Sequence, residues 1–443
     1  MSVTVRFAPS PTGKLHVGNV RAALWNWLFA RKEGGKFILR IDDTDQERST
    51  KAYEDAIKAD LGWLGLNFDE TFNQSARFAE YDAAAEKLKA AGLLYACYET
   101  ADELDRKRKL QRARSLPPVY DRAGLSYTDD QLKSFEAEGR KPHWRFKLSQ
   151  APVVWVDLIR GDTTVDTSSV SDPVLIRGDG QYLYTLPSCV DDIDTAITHV
   201  IRGEDHVTNT AVQVELIRAL GAEPPIFAHH SLLIGADGEG LSKRLGSLSI
   251  EAMRESGLEA ASITSLLAKL GTSDPVVAES DLSSLAAGFS FDAAGRAPAR
   301  FDDDELNALN AKILHDTPYG DIADRLNRLN ISADLWSAVN GNINRLDDLT
   351  RWRIIIEDDI DPVIEDADFT NIAADLVPDA PLSAESWSEF TAALKEKTGA
   401  KGKKLFMPLR LALTGEAHGP EMGPLFALIG SEKARARLKG TRG

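Results

Sequence analysis

Fourteen residues near the start of the chain, Arg6-Phe7-Ala8-Pro9-Ser10-Pro11-Thr12-Gly13-Lys14-Leu15-His16-Val17-Gly18-Asn19, gather groups suited to binding an anion. Pro9 and Pro11 exclude helix ahead of the turn, and Gly13 and Gly18 let the backbone approach a ligand closely. A helix opening behind such a turn presents unpaired N–H groups and a positive dipole end, which suits phosphate. The His16 imidazole is a further donor aimed at the same place. The pattern is neither the Walker loop nor the dinucleotide fingerprint. Far downstream, Gly238-Glu239-Gly240-Leu241-Ser242-Lys243-Arg244-Leu245-Gly246-Ser247 sets a lysine and an arginine on a glycine-rich loop able to close over a polyphosphate. Taken singly, the first stretch also fits an ordinary strand–turn–helix and the second a solvated Lys-Arg pair. Together they point to a polyphosphate site. Nothing suggests Ser-His-Asp catalysis or a redox cofactor. Asp42, Asp43 and Asp45 lie close together without a histidine, so they read as a pocket edge plus helix-start charges, not a metal site.

These side chains need a scaffold. Residues 3–7 alternate as a strand, residues 19–32 are expected to be helical and end at Gly34-Gly35, and 36–41 read as a second strand. An amphipathic helix follows over 49–61. Strands alternating with helices imply a parallel sheet with ligands at the strand C-terminal ends, where Arg6, His16 and Asp42 fall. Residues 75–185 break the rhythm and read as an α+β insertion, with helices over 76–91 and 101–114. Strand-like pieces then occupy 144–147, 153–157, 174–176 and 182–185. The sheet resumes with a strand over 197–201, a helix over 211–220 and a strand over 226–234. Residues 250–270 read as helical, 275–301 as a mixed connection, and the chain from Asp303 onward as predominantly helical.

At 443 residues the chain is expected to hold two or three domains. It shows neither a basic-then-apolar leader nor an apolar run of membrane-spanning length, so a cytoplasmic enzyme is expected. With only Cys97 and Cys189 there is no disulfide framework and no four-cysteine metal site. The net charge of −16 excludes indiscriminate polyanion binding. From Lys395 to the end, however, eleven bases face four acids, a net +7. That segment fits a solubilising tail or a shape-fitted RNA contact.

The two signature stretches resemble the HIGH and KMSKS motifs of class I aminoacyl-tRNA synthetases, and Phe-Ala-Pro-Ser-Pro-Thr-Gly resembles the form found in bacterial-type glutamyl-tRNA synthetases. The resemblance continues through Leu39-Arg40-Ile41-Asp42-Asp43-Thr44-Asp45, residues 197–210 and residues 402–415, so it covers nearly the whole chain. It implies an α/β fold: a class I Rossmann-type nucleotide-binding sheet over 1–250, interrupted at about 75–185 by an insertion that grips the tRNA acceptor end. A stem-contact connection over 251–310 and an all-helical anticodon-binding region over 311–443 would follow.

The activity implied is ATP-dependent formation of glutamyl-adenylate and transfer of glutamate to the 3′ end of tRNA-Glu, and in some enzymes also tRNA-Gln. Adenylate formation usually waits for bound tRNA. Mg²⁺ arrives with ATP. The resemblance assigns ATP to His16, Gly18, Asn19, Lys243 and Arg244, with His16, Lys243 and Arg244 as the catalytic cations and donors. It assigns glutamate to Arg6, Ala8, Ser10, Asp42, Tyr184, Ser188, Arg202 and His206. Three positions depart from the family pattern: Asn19 replaces the second histidine, Gly240 the first lysine, and Asp42 a glutamate expected to hold the α-ammonium. Cys97 sits where some relatives carry a zinc knuckle, but no Cys or His neighbours it at ligand spacing, so no structural zinc is expected. A monomer is implied. Two other readings share the motifs: a glutamate-activating enzyme that modifies a tRNA base, and a non-catalytic RNA-binding paralogue.

Overall fold

The computed structural model describes residues 2–241, 248–379 and 381–443. The chain divides into two compact units, one within Met1–Ala252 and Thr264–Asp302, the other within Met253–Ile263 and Asp303–Gly443.

The first unit opens with β1 (Thr4–Phe7), α1 (Val17–Lys32), β2 (Lys36–Ile41), α2 (Lys51–Trp63) and β3 (Glu70–Asn73). The strands pair in parallel in the order β1-β2-β3, with Val5 opposite Phe37 and Ile38 opposite Glu70. Val5, Phe37, Leu39 and Ile41 are fully buried, as expected of parallel strands covered on both faces. Helix α1 is buried on several sides through Val17, Val20, Leu24, Trp25 and Leu28, and the Trp25 indole N–H donates to the Leu267 carbonyl at 3.1 Å. It ends where Gly34 takes a φ of +61°, a conformation that favours glycine.

Next come α3 (Phe78–Ala90), β4 (Leu94–Cys97), α4 (Ala101–Ala113), α5 (Asp129–Ala137), β5 (His143–Phe146), β6 (Pro152–Asp157), β7 (Gly161–Asp166) and β8 (Val174–Ile176). Strands β4, β5 and β8 form a separate antiparallel sheet over Tyr81, Leu88, Phe146 and Leu175. The hairpin β6–β7 does not join it. Then come α6 (Thr185–Asp194), β9 (His199–Gly203), α7 (Val207–Ala219), β10 (Ile226–His230) and β11 (Leu233–Gly235), of which β9 and β10 extend the parallel sheet. Here β6 pairs with β10, and β10 with β9, both in parallel. The Thr198 N–H donates to the Thr4 carbonyl at 2.9 Å, which ties the start of β9 to β1 and sets the two parallel groups side by side.

The remaining elements are α8 (Ile250–Glu255), α9 (Ala260–Lys269), α10 (Leu282–Ala287) and β12 (Ala299–Phe301), with β12 parallel to β11. The second unit is then helical: α11 (Asp303–Asp316), α12 (Tyr319–Arg328), α13 (Ala333–Val339), α14 (Asp348–Glu357), α15 (Ala367–Leu376), α16 (Ala384–Thr398), α17 (Lys403–Thr414) and α18 (Met422–Leu438). One core running from Leu314 to Leu438, with Trp336, Trp352, Phe390 and Phe426 as its largest members, holds them together. Glu259 in the same unit accepts from both terminal nitrogens of Arg325, at 2.6 and 2.8 Å.

Two local readings are corrected and a third is refined. Residues 182–185 are not a strand: Tyr182 makes a single bridge to Ile176, and Thr185 starts α6, whose first turn tolerates Pro187. The run 226–234 is two strands, broken at Ser231, whose carbonyl accepts from Arg21 at 2.6 Å. The run 250–270 is two helices. They part around Gly257, which has φ +79° and would place a Cβ 2.9 Å from the backbone nitrogens of Leu346 and Asp347. Among the described residues, no helix is long and apolar enough to cross a membrane.

Candidate active site

The C-terminal ends of β1, β2, β9 and β10 open into a cavity of about 630 Å³. Arg6, Phe7 and Ala8 line it from the end of β1, and Asp42 from beyond β2. Arg202 and Gly203 line it from β9 and His230 from β10, as the sheet rule expects. His16, Gly18 and Asn19 enter from the start of α1, and Tyr184 and Ser188 from the start of α6.

The helix begins at Val17, two residues ahead of the expected start, because His16 caps it. His16 Nδ1 accepts from the Gly18 N–H at 3.1 Å, while Asn19 Oδ1 accepts from the His16 N–H at 3.3 Å. The pairing fixes the tautomer: with Nδ1 accepting, the neutral ring carries its proton on Nε2, free to donate to an anion. Burial lowers the His16 pKa, which keeps the ring neutral at physiological pH. Gly18 is needed at this spot, since a Cβ there would lie 3.0 Å from His16 Cε1. The arrangement differs from a helix end with every N–H free: the Gly18 donor is already spent on the imidazole.

Four arginines line the cavity: Arg6, Arg21 and Arg40 are buried and Arg202 is half-buried. Arg21 is spent on the carbonyls of Ser231 and Leu270, at 2.6 and 2.9 Å. Arg6 donates to Asp192 through Nε at 3.1 Å and Nη2 at 3.4 Å. Arg40, which sequence reasoning did not place in the pocket, bridges Asp42 (Nε to Oδ1, 2.6 Å) and Asp192 (Nη1 to Oδ1, 2.8 Å). It also reaches Ser188 Oγ at 3.2 Å. Burial disfavours the Asp192 carboxylate, but Arg6 and Arg40 outweigh it and hold its pKa below the usual range. Both Asp42 oxygens are held by Arg40, so any ammonium at Asp42 shares the carboxylate with that guanidinium.

Arg202 is different. Nε donates to His229 Nε2 at 3.3 Å, and Nη2 to Thr210 Oγ1 and Gln213 Oε1, both at 2.7 Å. All three acceptors are neutral. Burial, reinforced by repulsion from Arg6, brings the Arg202 pKa down to about 10. A half-buried cation that faces a cavity without a carboxylate partner among the described residues is a site for an anion.

Tyr184 stands edge-on to His206, with ring centroids 6.4 Å apart, at the mouth of the cavity. Ser10 is exposed and does not line it. Lys243 and Arg244 lie outside the described residues. Both flanks of their loop meet the site: Leu241 lines the cavity, Leu248 O accepts from Val17 N at 3.3 Å, and Ile250 N donates to Leu15 O at 3.0 Å. The three neighbouring acids go to separate partners, Asp42 to Arg40, Asp43 to Asn73 and Ser75, and Asp45 to Arg48.

Cys97 does have companions in space. Antiparallel pairing sets it opposite His143, and its Sγ, a Glu99 oxygen and a His143 nitrogen lie within 4.8 Å of one another. The spacing argument missed them because they meet only across β4 and β5. The donors are nevertheless engaged. The Tyr120 hydroxyl sits 3.3 Å from Cys97 Sγ and 2.9 Å from Glu99 Oε1, and Lys107 pairs with Glu99 at 3.3 Å. Burial pushes the Cys97 thiol up to about 11. Among the described residues three such donors meet here, one fewer than the four of a closed structural zinc site.

A parallel sheet with a histidine-capped helix start and cationic pockets at its strand ends is the architecture of a class I aminoacyl-tRNA synthetase. The catalytic-domain family described as tRNA synthetases class I (E and Q) matches residues 2–307, and an anticodon binding domain matches residues 368–442. The chain is 59% identical to glutamate–tRNA ligase 1 of Maricaulis maris over 98% of this chain and 99% of that one. It is 57% identical to glutamate–tRNA ligase 2 of Hyphomonas neptunium over the same shares. A solved glutamate-tRNA synthetase from Elizabethkingia anophelis superposes with a TM-score of 0.86 at 29% identity over 99% of both chains. A glutamate tRNA ligase from Elizabethkingia meningosepticum in complex with its amino acid gives 0.85 at 28% identity, over 99% of this chain and 98% of that one. The chain belongs to the class I glutamyl-tRNA synthetases.

Proposed function

We propose that this chain is a glutamate–tRNA ligase that uses the cavity at the strand ends to form glutamyl-adenylate from ATP and L-glutamate. It then passes the glutamyl group to the 3′ end of tRNA-Glu. The observation that carries the reading is Arg202, a half-buried guanidinium with neutral partners facing the same cavity as His16.

Attack of the glutamate α-carboxylate on the α-phosphorus needs positioning and positive charge, not a protein nucleophile. His16 Nε2–H and the start of α1 face the phosphates, and Lys243 with Arg244 supplies further cations. Arg202 and Arg6 take the substrate carboxylates, with Tyr184, Ser188 and His206 shaping the pocket and Ala8 letting glutamate pass close to the backbone. Asp42 is the acid nearest to the role of holding the α-ammonium. Ser10 contributes from the rim. Mg²⁺ enters with ATP. The antiparallel β4-β5-β8 sheet and its helices grip the acceptor end, and the helical unit reads the anticodon. The enzyme acts as a cytoplasmic monomer.

The basic C-terminal segment is narrower in space than in sequence. Buried Arg437 is spent on the carbonyls of Leu413 and Asp358, at 2.7 and 3.0 Å, and Arg410 on Pro420 O at 2.7 Å. Of the segment's exposed cations, Lys439 and Arg442 fall at the far end, while Lys395, Lys397, Lys401, Lys403 and Lys404 lie close together in the chain ahead of Phe406, which is 45% exposed. This is the charged face suited to an RNA loop. Replacing Lys401, Lys403 and Lys404 together by glutamine is expected to weaken tRNA binding and to reduce the slope of log K against log salt by roughly 2–3. Filter binding over a salt series reads the effect; an unchanged slope removes the segment from the interface.

Aminoacylation with labelled glutamate, run separately on unmodified tRNA-Glu and tRNA-Gln transcripts, tests the reaction itself. Charging of tRNA-Glu supports the proposal, and charging of tRNA-Gln in addition defines a broader enzyme. No charging of either, and no adenylate with RNA present, rejects it.

A further inference from the structure

Arg202 is held from behind by two residues that do not line the cavity. His229 lies in register with it across the β9–β10 ladder, and Asp157 ends the next strand, β6. The side chains of His229 and Asp157 are both fully buried. Asp157 Oδ1 accepts three backbone N–H groups, from His229 at 3.1 Å and from Ile159 and Arg160 at 3.0 Å each. Its other oxygen, Oδ2, lies 2.5 Å from His229 Nδ1. Burial works against the Asp157 carboxylate, but His229 and the backbone donors hold its pKa down to about 2. An ionised carboxylate at Nδ1 keeps the imidazole proton there, so Nε2 offers a lone pair. That lone pair faces Arg202 Nε at 3.3 Å and Thr210 Oγ1 at 2.9 Å; the Thr210 hydroxyl donates its proton to the His206 carbonyl at 3.1 Å, which leaves the lone pair to Arg202.

The outcome is specific. A carboxylate placed directly on Arg202 would offset its charge, as Asp192, shared with Arg40, does in part for Arg6. With an imidazole in between, the orientation is fixed and the cation keeps its charge. We propose that Asp157 and His229 form a positioning dyad that aims Arg202 at a substrate carboxylate without neutralising it, and so sets the preference for glutamate over glutamine. The inference rests on the reading of this cavity as the glutamate site. Asp157 acts only through His229, and His229 only through Arg202; neither touches substrate.

The test is tRNA-supported ATP–pyrophosphate exchange on Asp157→Asn, His229→Asn and His229→Gln, with circular dichroism and melting curves to fix the folded fraction. Asn at 229 can keep the bond to Asp157 but cannot reach Arg202, whereas Gln reaches the Nε2 position with an amide oxygen. The KM for glutamate is expected to rise roughly tenfold or more in Asp157→Asn and His229→Asn, and less in His229→Gln. The KM for ATP stays put, and the glutamate-to-glutamine ratio falls in step with the glutamate KM. A merely structural pair would lower the folded fraction and leave both the glutamate KM and that ratio unchanged; this result overturns the dyad. Parallel rises in the KM for glutamate and ATP, or no advantage of Gln over Asn at 229, overturn it too. If Asp157→Asn does not fold, the two His229 variants decide. Absence of exchange in the unmodified chain counts against the proposed function instead.

Discussion

Arg202→Ala is expected to lower kcat/KM for glutamate activation by roughly 10²–10³, mostly through KM. A charge-assisted hydrogen bond to a carboxylate is worth about 1.5–3 kcal/mol, and a guanidinium can make two in parallel. Arg202 has the charge to give: its partners are a neutral imidazole, a hydroxyl and an amide. The same substitution relieves the pocket of a cation that burial already disfavours, so the fold loses less than the reaction does. Arg6→Ala provides the contrast. It strands part of Asp192, whose remaining cation is Arg40 at 2.8 Å, so instability accompanies any loss of binding. Exchange kinetics and thermal melts on both variants separate the two cases. An Arg202→Ala enzyme with near-normal glutamate KM would remove this residue from substrate recognition.

The second large effect is on the chemical step. Lys243→Ala is expected to slow adenylate formation by about 10²–10³, the ~3–4 kcal/mol typical of one donor that acts at the transition state, with little change in glutamate affinity. Lys243 itself lies outside the described residues, but the chain on either side of its loop is at the site, with Leu241 in the cavity wall and Leu248 bonded to Val17 at the start of α1. A cation that acts on the phosphates would change the chemical step and leave glutamate affinity alone. Rapid-quench measurement of the first turnover reads the step directly; a variant that forms adenylate at the unmodified rate contradicts the assignment.

Much of this site was legible from local pattern. The prolines, glycines and His16 ahead of α1, and the strands ending at Arg6, Asp42 and Arg202, are features within one turn or one strand, where short-range sterics and periodicity decide the conformation. The helical second unit was legible for the same reason. What stayed hidden is tertiary. Arg40 with Asp192, and Asp157 with His229, pair across segments far apart in sequence, and no spacing rule ranks one buried acid above another. Helix α6 was missed: the strand reading of 182–185 ran into its first turn, and Asp191, Asp192 and Ser188 are buried in it beside Leu186 and Val190, so its buried side is not marked by residue type alone. The splits at Ser231 and Gly257 follow the same logic: each is imposed by a contact from elsewhere, the Arg21 guanidinium in one case and the backbone at Leu346 in the other. The Cys97 cluster shows the reverse error, in which an absence of neighbours along the chain hid neighbours across a ladder.

The most direct test of the whole account is ATP–pyrophosphate exchange in the presence of tRNA-Glu, with glutamate and glutamine compared side by side on the unmodified chain. A pocket built on an unneutralised Arg202 predicts exchange with glutamate and essentially none with glutamine. Equal exchange with both amino acids, or none with glutamate, would contradict it.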